Sequence, residues 1–230
     1  MSIRGVAFDL DYTLAVPNRD RKTLLQEAVD KAGAPPITRN EYLSAHRQHL
    51  TTESRTPIFA ELLNSSNDNA NNGNSASNEP TDPEQLAAAY RDAVTNALVP
   101  IPDAEDLITS LRAEYRVGLL TNGPVRAQRS KIEFLGWEPL FDTTLVTGEL
   151  SAGKPDPKAF AALLSELGTA ANETVYIGDT PHDDIKGATD AGIYAIQVLF
   201  DDGPDRDPRA DSHLARDQLA VELPKLLASL

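Results

Sequence analysis

Residues 3–13, which read IRGVAFDLDYT, place an apolar run directly before two aspartates. The run up to Asp9 has the length and composition of a short buried β-strand. Asp9 and Asp11 are two positions apart, so on an extended backbone both side chains point the same way while Leu10 points into the core. Two carboxylates at one place raise each other's pKa unless a cation lies between them. Taken alone, the pair is equally well explained as turn carboxylates that accept hydrogen bonds from nearby amides.

The segment after this strand has a helical pattern for a long distance. Residues 20–33 carry apolar residues at i, i+3, i+4 and i+7, which is typical of an amphipathic helix, and helices are also expected at 39–50 and 57–63. Residues 64–79 are rich in Asn and Ser and have nothing larger than Ala to bury, so we expect a disordered loop. Asp82, followed by Pro83, then begins another helix.

The pattern changes from residue 99 onwards to short apolar strands that alternate with helices. Strands are expected at 117–120, 144–146, 174–177 and 194–199, and helices at 103–114, 125–135, 157–167 and 183–191. Such alternation is typical of βαβ units and of a parallel sheet covered on both faces. We therefore predict an α/β fold, a Rossmann-like three-layer sandwich with a parallel sheet, formed by residues 1–14 and 99–230. Residues 15–98 form an all-helical insert in this core.

Polar clusters follow the predicted strands, where an open parallel sheet binds its ligands. Besides Asp9 and Asp11, they are Thr121-Asn122-Gly123, Gly153-Lys154-Pro155-Asp156 and the segment from Asp179 to Asp184. Asp179 with Asp183 or Asp184 would complete a set of oxygen ligands suited to Mg²⁺. Lys154 and the Thr121-Asn122 turn could bind phosphate. Each cluster also has a plain interpretation as a turn, a helix cap or a solvated lysine, but those do not explain why all lie at the same ends of separate strands.

The composition limits the binding partners and the cellular compartment that can be expected for this protein. The chain has 230 residues, no Cys and a formal charge of −14. The lack of Cys excludes a thiolate metal site, and the acidity argues against nucleic acid or an anionic membrane as a partner. No apolar run is long enough to span a bilayer and no signal peptide is evident, which favours the cytoplasm. The strong acidity also suggests a high-salt, halophilic cytoplasm, because salt screens self-repulsion. His46 and His49 are three apart on a predicted helix, and a solvated face is the favoured interpretation.

The four polar clusters, in this order and on these elements, resemble the motifs of the haloacid dehalogenase-like hydrolase superfamily. The resemblance is to the phosphatase branch that has a helical cap inserted between its first and second motifs. It implies that Asp9 is a nucleophile that forms an aspartyl-phosphate and that Asp11 is an acid and base that also binds the metal through its main-chain carbonyl. It further implies that Thr121, Asn122 and Lys154 hold the phosphoryl group, and that Asp9, Asp11, Asp179 and Asp184 hold Mg²⁺.

The implied substrate is a small phosphorylated metabolite, which the helical insert does not identify. A phosphomutase shares every one of these motifs and stays an alternative. A 2-haloacid dehalogenase of the same superfamily is disfavoured because such enzymes generally lack an acid in the position of Asp11. A non-enzymatic phosphoacceptor domain is disfavoured by the order of the motifs and by the insert. The sequence does not predict an oligomeric state.

Overall fold

A parallel sheet runs through the centre of the computed structural model, which describes residues 2–70 and 81–230 and omits the side chains of residues 66–70. The strands are β1 (Gly5–Phe8), β2 (Ala15–Pro17), β3 (Leu98–Pro100), β4 (Arg116–Thr121), β5 (Thr143–Val146), β6 (Thr174–Gly178), β7 (Tyr194–Leu199) and β8 (Ser212–Ala215). The strand order of the central sheet is β5-β4-β1-β6-β7-β8, and every neighbouring pair is parallel. The two remaining strands, β2 and β3, pair antiparallel with each other.

Helices cover both faces of the sheet, which confirms the predicted Rossmann-like α/β class. Val6 and Phe8 share an apolar cluster with the helices at residues 104–111 and 219–227, whereas Ala7 belongs to a second cluster that includes the helix at residues 157–167. The helices are α1 (Arg21–Ala32), α2 (Arg39–His46), α3 (Thr56–Ala70), α4 (Pro83–Asn96), α5 (Ala104–Leu111), α6 (Val125–Leu135), α7 (Pro157–Leu167), α8 (Gly187–Asp190) and α9 (Leu219–Leu227).

The position of β1 decides where the chemistry lies. All four of its residues are buried, and it is flanked by β4 and β6 in the middle of the sheet. The apolar run therefore has a partner strand on each side and a helical layer on each face, as its composition predicts. The residue that follows it, Asp9, emerges at the centre of the carboxyl edge.

Helices α1–α4 pack on one another around a separate apolar cluster. Three rings lie at its centre, with Tyr42 in edge contact with Tyr90 at 5.0 Å and Phe59 at 5.9 Å from Tyr90 between ring centroids. The chain enters this helical unit through β2 and leaves it through β3. That arrangement is compatible with an insert over residues 15–98, and the division into two domains stays a prediction.

Several elements differ from the expectation. Helix α3 continues to Ala70, so the predicted loop does not begin at residue 64, and residues 71–79 lie outside the described residues. The segment Pro181–Lys186 winds as a π-helix before α8 instead of starting a regular helix at 183. Strand β8 and helix α9 were not predicted. Among the described residues, no helix combines the length and the apolar character needed to cross a bilayer.

Candidate active site

Three of the predicted acids meet beside Lys154 at the carboxyl edge of the sheet. The Asp9 amide donates to the Ile177 carbonyl at 2.8 Å, so the backbone of Asp9 stays bonded to β6 just beyond the end of β1. Lys154 Nζ lies 2.7 Å from Asp9 Oδ1 and 2.7 Å from Asp184 Oδ1. One carboxylate oxygen from each of Asp9, Asp179 and Asp184 lies within 4.8 Å of the others, and all three residues are buried. The fold therefore gathers residues from the first, third and fourth motifs in one place.

The electrostatics of this cluster suit a divalent cation. Burial raises the pKa of Asp9 to about 7 and that of Asp179 well above its ordinary value, and the charge of Asp184 acts in the same direction on both. Burial acts to lower the pKa of Lys154, but the charges of Asp184 and Asp9 outweigh it and hold this pKa well above its ordinary value. Three carboxylates and one ammonium leave two negative charges uncompensated when all are ionised. Hard oxygen donors with that charge fit Mg²⁺.

Asp183 and Asp184, between which the sequence leaves the metal ligand open, have different surroundings in the structure. Asp184 is buried and belongs to the cluster, whereas Asp183 pairs with the exposed His182 at 2.8 Å and accepts from Asn122 at 3.3 Å. Asp184 sits so close to the end of β6 that a Cβ on Gly178 would lie 2.4 Å from its Cγ. Glycine at position 178 therefore makes room for the buried carboxylate.

Asn122 positions the loop that carries Lys154. Its Oδ1 accepts from the Lys154 amide at 2.8 Å, and its Nδ2 donates to the Lys154 carbonyl at 2.9 Å. Its side chain thus holds both backbone polar groups of the lysine. Thr121 is fully buried at the end of β4, lines the cavity described below, and accepts from Gln128 Nε2 at 2.5 Å.

Asp11 does not belong to the cluster of three carboxylates and is paired instead with two cationic side chains. The chain turns sharply after it, because Tyr12 has φ of 65°, a left-handed conformation that costs an L-residue about 1–2 kcal/mol. Arg21 Nη2 contacts one Asp11 oxygen at 2.6 Å and Lys131 Nζ contacts the other at 2.5 Å. Burial would raise the pKa of Asp11, but the charges of Lys131 and Arg21 hold it well below its usual range. The expected metal contact of its main-chain carbonyl stays a prediction.

A cavity of about 240 Å³ lies between this edge of the sheet and the helical unit. One wall consists of the acids, Lys154, Thr121 and Asn122. The opposite wall consists of side chains that sequence reasoning missed, and these are Arg21, Arg39, Tyr42, Leu43, His46, Arg55 and Tyr90, with Gln128 and Lys131 of α6 beside them. The site is therefore built from both the sheet and the helical unit.

The spacing of some residues in the sequence already indicates that they form part of this wall together. Arg39, Tyr42, Leu43 and His46 fall at i, i+3, i+4 and i+7, so they share one face of α2, and all four line the cavity. The expectation that His46 lies on a solvated face with His49 is wrong for His46. His49 instead contacts Glu61 at 3.1 Å and does not line the cavity.

His46 should make stability depend on pH. Burial and then the charges of Arg55, Lys131 and Arg39 lower its pKa to about 3. The unfolded chain gains a proton on this ring near its ordinary pKa of 6.5, whereas the folded protein does not, so stability falls as pH drops from about 6.5 towards 3.

Between pH 7 and pH 5 this one group should remove about 2 kcal/mol of unfolding free energy. Urea unfolding of His46→Asn and of the parent protein at both pH values measures it. The parent should lose about that much more than the variant, and equal losses would contradict the burial of a neutral imidazole. His182→Asn, at an exposed position, is the control.

The fold and the site define an enzyme class with a Rossmann-like α/β core and a carboxylate and lysine centre at the carboxyl edge. The chain belongs to the haloacid dehalogenase-like hydrolase family, whose model matches residues 3–192. It is therefore a hydrolase of that family, as its motifs predict.

Two curated relatives of this chain are phosphatases by name. The chain is 30% identical to an N-acylneuraminate-9-phosphatase of Mus musculus over 78% of this chain and 69% of that protein. It is 28% identical to a glyceraldehyde 3-phosphate phosphatase of Methanopyrus kandleri over 91% of this chain and 89% of that protein. Among solved structures, a HAD phosphatase from Thermococcus onnurineus has a TM-score of 0.67 at 24% identity, covering 98% of both chains, which supports the fold alone.

Proposed function

We propose that the protein is a Mg²⁺-dependent phosphatase that hydrolyses a small phosphorylated metabolite in the cytoplasm through an aspartyl-phosphate on Asp9. The observation that carries this proposal is the contact of Lys154 with Asp9 and Asp184, with Asp179 beside them in a buried cluster. The names of the relatives support the reaction class.

Asp9 is the nucleophile of the proposed first step. One of its oxygens attacks phosphorus, the bond to the ester oxygen breaks, and an alcohol leaves. A carboxylate needs no activating base, but its charge repels a phosphate dianion. Lys154, which already contacts Asp9, reduces this repulsion and holds a phosphoryl oxygen together with Thr121. When Mg²⁺ is held by Asp9, Asp179 and Asp184, with Asp11 contributing its main-chain carbonyl, it supplies further neutralisation of the phosphoryl charge.

Asp11 moves the protons in both steps. It gives a proton to the leaving alkoxide, and in the second step it takes one from the water that attacks the aspartyl-phosphate. Its ionised form, stabilised by Lys131 and Arg21, is the form that the second step requires. The first step requires the proton, so these two contacts have to loosen when substrate enters.

The helical unit of residues 15–98 is proposed to be a cap over the site. The segment between α2 and α3 contacts the core directly. The Val125 amide donates to the Thr52 carbonyl at 3.0 Å, and the Arg126 amide donates to the Glu53 carbonyl at 2.9 Å. A Cβ on Gly148 would lie 2.9 Å from the Thr52 carbonyl, which shows how closely the two parts approach. Such a cover excludes water during the first step and shapes the space for substrate.

Release of inorganic phosphate from a panel of small phosphate esters tests the function. We expect release with millimolar Mg²⁺ and its loss with EDTA, restored by excess Mg²⁺. Equal release in both conditions would contradict the metal dependence. Transfer of the phosphoryl group to a second position of the substrate, without free phosphate, would indicate a mutase instead.

A further inference from the structure

The cavity has two chemically different ends. The end at the sheet holds Asp9, Asp179 and Asp184, and the proposed reaction uses it. The end formed by the helical unit is lined by Arg39, His46 and Arg55, for which that reaction has no role. In a chain with a formal charge of −14, such a group of bases inside one cavity is unexpected without an anion to bind.

Arg55 gives the strongest evidence for an anion-binding site at this end of the cavity. Its residue is only 6% exposed, and its Nε and Nη1 atoms have no hydrogen-bond partner among the described residues. Its guanidinium lies 5.0 Å from the centre of the Tyr90 ring, which packs against its face but does not accept its hydrogen bonds. A buried donor without a partner destabilises a folded protein, and the cost is larger when the donor is charged. Arg21, on the same wall, differs because Asp11 neutralises it.

The neighbours of Arg55 point to the same conclusion. The Nδ1 atom of His46 is also buried and has no hydrogen-bond partner in the part of the chain that the structure describes. Arg39 donates to the Tyr90 hydroxyl at 3.3 Å, and its guanidinium lies 5.3 Å from the centre of the Tyr42 ring. The charge of Arg55 acts to lower the pKa of both His46 and Lys131, although burial contributes most. The cap end of the cavity therefore has a positive potential and open donors.

We propose that Arg55, with Arg39 and His46, binds a second anionic group of the substrate while the ester phosphate sits at Asp9. The substrate is then a phosphate ester that also carries a carboxylate or a second phosphate, and an ester with only hydroxyl groups is a poor one. A guanidinium pairs with the oxygens of either group through charge-assisted hydrogen bonds. This inference rests on the proposed function.

Matched pairs of esters test it. 3-Phosphoglycerate differs from glycerol 3-phosphate, and 6-phosphogluconate from sorbitol 6-phosphate, only in having a carboxylate for a hydroxymethyl group, and the two pairs sample two lengths. Fructose 1,6-bisphosphate against fructose 6-phosphate tests a second phosphate. In the parent protein we expect kcat/KM to favour the charged member of at least one pair about 10- to 100-fold. A ratio near one or below in all three pairs would overturn the inference and leave the phosphatase proposal intact.

Variants assign the preference to Arg55. Arg55→Gln should bring the ratio for that pair close to one, and Arg55→Lys should restore part of it. The control is Arg47→Gln, an exposed arginine at the end of α2 that does not line the cavity, which should keep the parental ratio. If Arg55→Gln keeps that ratio too, Arg55 does not bind the second anion.

A binding measurement separates this inference from the proposed reaction. With Asp9→Asn protein and Mg²⁺, the charged ester should raise the melting temperature more than its uncharged partner, and adding Arg55→Gln should remove the difference. That result supports the anion subsite even if the parent protein releases no phosphate, an outcome that would reject only the phosphatase. An equal rise for both esters would reject the subsite.

Discussion

Replacement of Asp9 with Asn should abolish phosphate release while the protein stays folded. The amide keeps the shape of the side chain but cannot form an acyl-phosphate, so the covalent route is lost. Removal of the nucleophile from a group of catalytic residues that act as a unit typically lowers kcat about 10⁴-fold or more. We expect a loss of at least that order for any ester that the parent protein hydrolyses.

The same substitution should not reduce stability at neutral pH. Burial, together with the charges of Asp184 and Asp11, raises the pKa of Asp9 to about 7 despite the opposing charge of Lys154, so its ionised form is disfavoured. Asn removes that charge from a cluster that already contains Asp179 and Asp184. The unfolding free energy of the Asp9→Asn variant should equal or exceed that of the parent protein in the absence of Mg²⁺.

Phosphate release and urea unfolding measure the two effects on one preparation. Asp106→Asn, at an exposed position in the first turn of α5, is the control and should change neither. Retention of more than a tenth of the parental activity in Asp9→Asn would exclude Asp9 as the nucleophile. Loss of activity together with global unfolding would mean that the substitution reports on stability alone.

Much of the sheet and the acidic half of the site could be predicted from the sequence for one physical reason. Short apolar strands of a parallel sheet end at one edge, so the residues at the carboxyl ends of β1, β4 and β6 must come close to one another. Asp9 and Asp179 directly follow β1 and β6, and Thr121 is the last residue of β4. The loop that carries Lys154 is held in place by a hydrogen bond to the side chain of Asn122, which strand periodicity does not predict. Only the order of the four polar motifs along the chain indicates that Lys154 belongs to the site.

The cationic half could not be predicted in the same way. Arg55 lies just before α3 in a segment without periodicity, so only tertiary packing shows that it faces the cavity. Arg39 and His46 share a helix face, but a helix face with polar residues usually meets solvent. Strand β8 is short and only partly buried, so its sequence shows only a weak alternation of apolar and polar residues. The high-salt interpretation of the acidity stays a prediction.

Replacement of Lys154 with Met should destabilise the protein by about 3–5 kcal/mol at neutral pH, the usual cost of leaving a buried charge without its partner. Lys154 is 2% exposed, and its ammonium contacts Asp9, Asp184, the Tyr176 hydroxyl and the Leu120 carbonyl. Met fills a similar volume but leaves Asp9, Asp179 and Asp184 without a neighbouring ammonium. Such a loss is a large part of the 5–15 kcal/mol that typically stabilises a domain.

The loss should be larger at high pH. The pKa of Asp9 is already raised to about 7 from an ordinary 3.8 by burial, and removal of Lys154 takes away the charge that lowers it. A raised carboxyl pKa means that the folded state binds more protons than the unfolded chain, so stability is gained as pH falls. This contribution is complete below the unfolded pKa of 3.8 and is lost as pH rises through the folded value.

Urea unfolding of Lys154→Met at about pH 5 and pH 8, with and without Mg²⁺, tests this explanation. The deficit against the parent protein should be greatest at pH 8 without Mg²⁺, and it should shrink when protons or the cation replace the missing ammonium. Lys158→Met, an exposed position in the first turn of α7, is the control and should cost little under every condition. A deficit that is independent of pH and of Mg²⁺ would mean that Lys154 contributes packing, and the carboxylates around it would then not form the charge-balanced centre on which the proposed chemistry depends.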